Sequence, residues 1–361
     1  MKKSKQFGIF AVAAVWLTLC AMAWFWPRTE ISNTERRKLA QFPSSLSEKY
    51  PSEFDAASLD QFPLRDRFRQ LKALTCYDVF FQRDNNGIYL EQGYAAKLDY
   101  PLNDASLRHA VELLQQVNET FLAQSQGRIF LAVVPDKGYF LAEAGGYPAM
   151  DYDTLIQTME RELPFAQNVN LTGALSQADY YRTDTHWKQE NLFPAAKVLC
   201  DAMGISAPNP ADFTPVPAEQ PFYGVYYGQA ALPMEPDSIV TMENAMLADC
   251  KVFNLETNRE GGIYDYDKLD SRDPYEVYLS GASALLTIDN PAGDPERELV
   301  VFRDSFGSSL IPLLIGDYSK VTVVDLRYLP SAQLGSYVNF HGQDILLLYS
   351  TLILNNSFSM K

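Results

Sequence analysis

Five short apolar runs, Ile129–Val134, Gln167–Leu171, Leu299–Phe302, Val321–Val324 and Ile345–Tyr349, are each bounded by turn residues, and several are followed by helical spacing. A strand with one wet face alternates apolar and polar residues. A continuous apolar run has to be covered on both faces, as in a parallel sheet held between two helix layers. The pattern therefore predicts an α/β fold built on a doubly wound parallel sheet. The span 206–297 interrupts it with Pro208, Pro210, Pro215, Pro217 and Pro221 and with Tyr223, Tyr226 and Tyr227. That composition predicts an inserted irregular or antiparallel subdomain, with strands about Tyr223–Tyr227, Val277–Leu279 and Leu285–Ile288.

The N-terminus sets a second constraint. Lys2, Lys3 and Lys5 precede an uncharged run from Phe7 to Trp26, closed by Pro27. Twenty residues at ~1.5 Å each span about 30 Å, the thickness of a bilayer core. Trp24 and Trp26 suit the outer interface. A cleaved signal peptide competes, since Ala21-Met22-Ala23 offers small residues at the right spacing. The uncleaved anchor is preferred because the apolar stretch runs on past that site through Trp24-Phe25-Trp26. The expected organisation is a cytoplasmic tail and transmembrane anchor over 1–26, a stalk and membrane-proximal helical region over 27–95, and an extracellular α/β domain over 96–361. In the second part, Phe68, Leu71, Leu74 and Phe81 recur at helical spacing and read as packing positions, with Pro63 starting or kinking that stretch.

Thirty basic against 45 acidic residues give a net charge of −15, which disfavours a nucleic-acid partner because binding a polyanion needs clustered Lys and Arg. The four cysteines form no C-x-x-C pair and there are three histidines, so no metal and no cofactor is expected. P-loop, dinucleotide and H-E-x-x-H signatures are absent from the sequence.

Reactive groups of open α/β sheets gather at strand carboxyl ends. The run Leu299–Phe302 leads into Arg303-Asp304-Ser305-Phe306-Gly307, placing the Ser305 hydroxyl at a strand-to-helix corner. Two readings fit that corner. Ser305 is a nucleophile beside unpaired N–H groups that hold an oxyanion, or Asp304 or Ser305 caps the helix beginning at Gly307; the local residues alone favour capping. Tyr180-Tyr181-Arg182-Thr183-Asp184-Thr185-His186-Trp187 supplies an imidazole and a carboxylate two positions apart, the base and orienting group a serine nucleophile needs. The competing reading is a polar helix start with His186 incidental. Lys137, after Ile129–Val134, fits either an anion or carbonyl contact or a solvated loop charge. Arg327 either supports the site or pairs with Asp325.

These stretches, taken in order with Asn33-Thr34-Glu35-Arg36-Arg37, Phe62-Pro63-Leu64-Arg65-Asp66, Val134-Pro135-Asp136-Lys137 and Val324-Asp325-Leu326-Arg327-Tyr328, resemble the DHHW family of exported Gram-positive proteins. More distantly the chain is similar to the SGNH-like acetyltransferases of alginate O-acetylation. The resemblance implies an SGNH-hydrolase-like fold with a Ser305–His186–Asp184 site, His preceding Ser in the chain. Two departures stand out. The namesake motif reads Asp184-Thr185-His186-Trp187, without its first histidine, and the place of a Gly-Gly-Asn-like turn is taken by Gly281-Ala282-Ser283. An oxyanion asparagine is thus missing, and the hole rests on backbone N–H groups around Ser305 and Gly307 or on another side chain.

The implied activity is transfer of an acyl group, acetyl above all, to a cell-envelope polysaccharide. A polytopic membrane O-acyltransferase would be the donor and Tyr223, within Pro221–Tyr227, would stack on sugar rings; water as acceptor would make the protein an esterase. The alternative is a catalytically silent envelope polysaccharide-binding or scaffold protein on the same fold, favoured by the missing asparagine.

Overall fold

The computed structural model describes residues 2–361; the side chains of residues 2–5 and of Trp24 lie outside the described residues, and with them the expectations placed on Lys2, Lys3, Lys5 and Trp24. The chain divides into two compact units, Met1–Asn86 with Tyr227–Pro233, and Gly87–Tyr226 with Met234–Lys361.

The second unit carries an eight-stranded sheet. Its strands are β1 (Ile129–Val134), β2 (Gln167–Asn168), β3 (Lys251–Asn254), β4 (Arg259–Gly261), β5 (Leu285–Asp289), β6 (Asp294–Arg303), β7 (Tyr318–Val324) and β8 (Asp344–Ser350). Five run parallel in the spatial order β2-β1-β8-β6-β7, and β5, β3 and β4 continue the sheet antiparallel beyond β7. The apolar runs are continuous because alternate residues enter different cores. Leu299 and Val301 of β6, Leu346 and Leu348 of β8 and Phe130 and Ala132 of β1 join one buried cluster. Val300 and Phe302, Ile345 and Leu347, and Leu131 and Val133 join the other. The first layer contains the helix Phe193–Met203, which ends where Gly204 turns left-handed at φ 61°. The second contains the helix Asp104–Val117, whose N-terminus is capped by the Asn103 side chain accepting from the Ser106 N–H, and the helix Tyr152–Glu162.

The span 206–297 departs from the expectation at three places. Leu285–Asp289 is no part of a separate antiparallel subdomain: it pairs in register with β7, from Leu285 opposite Val324 to Asp289 opposite Lys320. Its apolar Leu285, Leu286 and Ile288 are buried in the two sheet cores, which is why it extends the sheet. Tyr223–Tyr227 forms no strand; Val225–Ala230 is a short helix. Pro274–Val277 is a turn of 3-10 helix where a strand about Val277 was expected. The hairpin Ile88–Glu91 and Tyr94–Lys97 belongs to the second unit, with the Ala95 N–H donating to the Arg182 carbonyl at 2.8 Å. Cys200 and Cys250 are buried free thiols, pushed up to about 12 and about 11 by burial.

In the first unit, α1 (Lys2–Phe25) contains Gln6–Ala23, a stretch long and apolar enough to cross a membrane. The helices α2 (Tyr50–Asp60) and α3 (Arg65–Leu74) follow, and a π-helical turn at Thr75–Val79 continues α3. Arg37 grips Asp60 with two hydrogen bonds of 2.8 and 2.6 Å, and Arg69 lies 3.1 Å from Glu35, so the segment expected as a polar stalk is held by ion pairs. Phe68, Leu71, Leu74 and Phe81 do not form the buried face expected of them, although Phe68 rests edge-on against Phe62 with ring centroids 5.4 Å apart. All four are exposed, and the buried position of α3 is the small Ala73.

Candidate active site

β6 delivers its last residue, Arg303, beside Leu348 of β8, and the chain turns at Asp304-Ser305. Asp304 is fully buried and ties the corner down. One carboxylate oxygen accepts from the Phe306 N–H at 2.9 Å and the other from the Ser350 N–H at the end of β8 at 2.7 Å. Gly307 is required by close approach, since a Cβ there would sit 2.8 Å from the Arg303 Cβ. Its N–H closes the turn on the Asp304 carbonyl at 3.1 Å. The following helix, Gly307–Leu310, has no side-chain cap, and the Ser305 hydroxyl points elsewhere.

That hydroxyl lies 2.8 Å from His186 Nε2, across 119 positions of chain. His186 Nδ1 lies 2.6 Å from Asp184 Oδ1, which also accepts from the His186 backbone N–H at 3.1 Å. The second oxygen of Asp184 accepts from the Val225 N–H at 2.8 Å. The three groups form a continuous relay, Asp184 to His186 to Ser305. Asp184 has no exposed surface and His186 is buried, whereas Ser305 is half-buried. With Asp184 receiving donors at Nδ1 and at two backbone amides, the imidazole proton belongs on Nδ1, leaving Nε2 as acceptor for the serine proton.

Side chains flanking His186 join the two loops. Trp187 Nε1 donates to the Phe306 carbonyl at 2.9 Å, and Gln189 Nε2 donates to the Ser309 carbonyl at 2.9 Å. Below the Asp184 loop, the buried Lys137 ammonium donates to the Tyr181 carbonyl at 2.8 Å and approaches that of Arg182 at 3.4 Å. Burial pulls Lys137 down to about 7, against a partial offset from Asp184. It is neither a solvated loop charge nor an open anion site; it holds the loop from beneath.

Arg327 turns to Asp325, with Nε at 2.9 Å and Nη2 at 2.6 Å, in an ion cluster that the buried Arg303 joins at 3.8 Å. Arg327 thus pairs with Asp325. The Gly281 carbonyl, in the turn that replaces an expected asparagine, accepts from Arg303 Nη2 at 3.0 Å. At the corner, the Phe306 and Gly307 amides are committed to Asp304, and the Ser305 N–H carries no hydrogen bond among the described residues. Tyr223 is exposed and directly precedes Gly224, whose Cα abuts Asp184: a Cβ there would fall 2.2 Å from the Asp184 Cβ.

Three contributors were not foreseen. Tyr275 stacks on His186 with ring centroids 3.8 Å apart and planes 4° from parallel, and its hydroxyl meets Ser309 Oγ at 2.8 Å. Asp237 accepts from the Arg182 and Thr183 backbone N–H groups at 2.9 and 2.8 Å, shaping the loop that bears Asp184. The Val225 amide holds the outer oxygen of Asp184. None carries a local signal, because each reaches the site from a remote turn. Among the described residues, no group of three or more His, Cys, Asp or Glu side chains is arranged to hold a metal ion.

The DHHW protein family model matches residues 169–324, a span that includes Asp184, His186 and Ser305. A DHHW family protein from Eubacterium siraeum aligns with a TM-score of 0.62 and 20% identity over 76% of this chain and 94% of that one. PatB1 of Bacillus cereus, solved with a sulfonyl adduct, aligns with a TM-score of 0.60 and 15% identity over 74% of this chain and 95% of its own. The O-acetyltransferase domain of Pseudomonas putida AlgJ aligns with a TM-score of 0.45 and 16% identity over 74% and 92% of the two chains. No curated protein matches this chain. The resemblance to the DHHW family is therefore found both in the sequence and in the fold.

Proposed function

We propose that this DHHW-like chain is an SGNH-like acyltransferase or esterase of the cell envelope, anchored by α1 with its α/β unit outside the membrane, and that Ser305 is its nucleophile. The observation carrying the reading is the relay itself, with 2.6 Å from Asp184 to His186 and 2.8 Å from His186 to Ser305. His186 Nε2 takes the Ser305 proton as Oγ bonds to the carbonyl carbon of an acyl donor, and Asp184 stabilises the imidazolium so formed. The Ser305 N–H donates to the oxyanion. The donor's leaving oxygen departs with the proton from His186, leaving an acyl-serine ester. A sugar hydroxyl then gives its proton to His186 and bonds to the acyl carbon, and Oγ leaves with that proton. Water in the second step makes the protein an esterase.

The capture of PatB1, a protein of the same fold, as a sulfonyl adduct supports looking for a nucleophile here. The resemblance noted in the sequence favours acetyl as the acyl group, an envelope polysaccharide as acceptor and a polytopic membrane O-acyltransferase as donor. Tyr223, exposed beside the loop that contacts Asp184, is available to stack on a sugar ring.

One observation favours a second reading, a silent polysaccharide-binding or scaffold protein: the Gly281 turn carries no asparagine and directs its carbonyl to Arg303. Turnover of an aryl acetate by the parent chain and by Ser305→Ala separates the two. Loss of turnover in the variant with unchanged circular dichroism supports catalysis, and equal rates in both refute it.

A further inference from the structure

A soluble surface helix turns its apolar stripe inward and its charges outward. The first unit does the opposite. In α3 the buried position is Ala73, while Phe68 and Leu71, on the other side of the helix at about 100° per residue, stand exposed. Exposed apolar residues continue to the end of the π-helical turn and just past it, where Val79, Phe80 and Phe81 are 60%, 66% and 81% exposed. So many large apolar side chains exposed within one short segment mark a surface suited to meet another apolar phase.

Two features identify that phase. The first is charge. Residues 61–83 hold five basic residues (Arg65, Arg67, Arg69, Lys72, Arg83) and two acidic ones (Asp66, Asp78), a local +3 in a chain of net −15. Arg65 and Arg69 are engaged by Glu35, but Arg67 and Lys72 are exposed and, among the described residues, meet amide oxygens, Arg67 that of Gln70 and Lys72 those of Asn85 and Asn86. The second is position. Trp26, just past the end of α1, lines one cavity of about 420 Å³ together with Leu64 and Arg67 at the start of α3. The Thr29 N–H also donates to Gln61 Oε1 at 3.0 Å. The basic, apolar-faced segment therefore begins at the outer end of the apolar helix.

We propose that Arg65–Phe81 is an interfacial amphipathic segment lying on the leaflet where α1 emerges, with Phe80 and Phe81 among the acyl chains and Arg67 and Lys72 at the level of anionic lipid phosphates. The inference rests on reading α1 as membrane-spanning. It gives the first unit a function beyond anchoring, which is to hold the chain following α1 on the membrane surface.

The test uses the full chain in vesicles of phosphatidylcholine with phosphatidylglycerol. Cys20 and Cys76 are replaced by serine, and a bimane label is placed at Phe80→Cys or, separately, at Leu17→Cys. Cys200 and Cys250 are buried and stay unlabelled. Lipid carrying a nitroxide on its acyl chain should quench both labels at least twofold, and Arg67→Gln with Lys72→Gln should weaken quenching at position 80 but not at 17. Quenching at 17 with none at 80 overturns the inference while leaving the anchor intact. No quenching at either position overturns the anchor and the inference with it.

Discussion

Replacing Asp184 by Asn removes one charge and adds two protons to a buried group whose oxygens accept from His186 Nδ1, the His186 amide and the Val225 amide, among others. No orientation of the new amide satisfies all three. With its oxygen toward His186, its NH2 faces the Val225 N–H, and a buried donor is left unpaired at a cost of about 1–3 kcal/mol in stability. With its NH2 toward His186, it donates to Nδ1 and moves the imidazole proton to Nε2, where it can no longer accept from Ser305. The charge loss acts on the transition state. Imidazolium and carboxylate charges centred about 4 Å apart attract by about 4 kcal/mol at an effective dielectric of 20, which corresponds to roughly a thousandfold in rate. Asp184→Asn should therefore lower kcat for aryl acetate hydrolysis by about 10³ with KM little changed, while urea unfolding shows the smaller stability loss. An Asp184→Asn protein within threefold of the parent, in a parent whose turnover requires Ser305, would refute the assignment of Asp184 as the orienting carboxylate.

Lys137 provides a pH-dependent check. Burial lowers it to about 7 in the folded chain from a usual 10.5, so between those values the unfolded chain binds a proton that the folded chain does not, and stability rises with pH. Urea titrations should show the parent gaining up to about 1.4 kcal/mol per pH unit relative to Lys137→Met between pH 7.5 and 9.5; parallel stability curves for the two proteins would contradict this. For Tyr275, the stacked face is the feature in contact with His186. Tyr275→Phe should keep kcat within about twofold and lose about 1 kcal/mol of stability with the bond to Ser309. Tyr275→Leu should lower kcat about fivefold at unchanged KM, an effect of about 1 kcal/mol expected from removing an aromatic face beside a transient cation. Equal kcat values for the two variants would assign the stack to packing alone.

The legibility of this molecule follows how local each cause is. The five parallel strands were readable because two-sided burial demands an uninterrupted apolar run, a property of adjacent residues. Leu285–Ile288 was equally readable as a strand, yet its partner was not, since any exposed apolar edge would accept it and β7 was the one it met. Helical spacing through Phe68, Leu71 and Leu74 located a helix but not the direction of its apolar face, because periodicity has the same form whether that face meets protein, lipid or water. At the site, Ser305, His186 and Asp184 could be named as candidates from residue type, but their local sequence fitted a helix cap and an incidental histidine at least as well, and the resemblance to the DHHW family is what joined them. Tyr275, Asp237 and the Val225 amide could not, since a tyrosine in a turn or a backbone N–H has nothing local to distinguish it.

Composition and short-range pattern were enough to require a two-sided sheet and an apolar N-terminal helix, because each is a demand made on neighbouring residues by water or by the backbone, whereas the serine, histidine and aspartate were only candidates until the family resemblance linked them. Which of those side chains meet was decided only in three dimensions. Hydrogen bonds from Trp187 and Gln189 draw two distant loops together, the close approach at Gly224 seats Asp184, and burial turns Lys137 into a support for the loop above it. Contacts of that kind depend on distances that chain order does not encode residue by residue; they exist once the sheet has brought its strand ends to one rim.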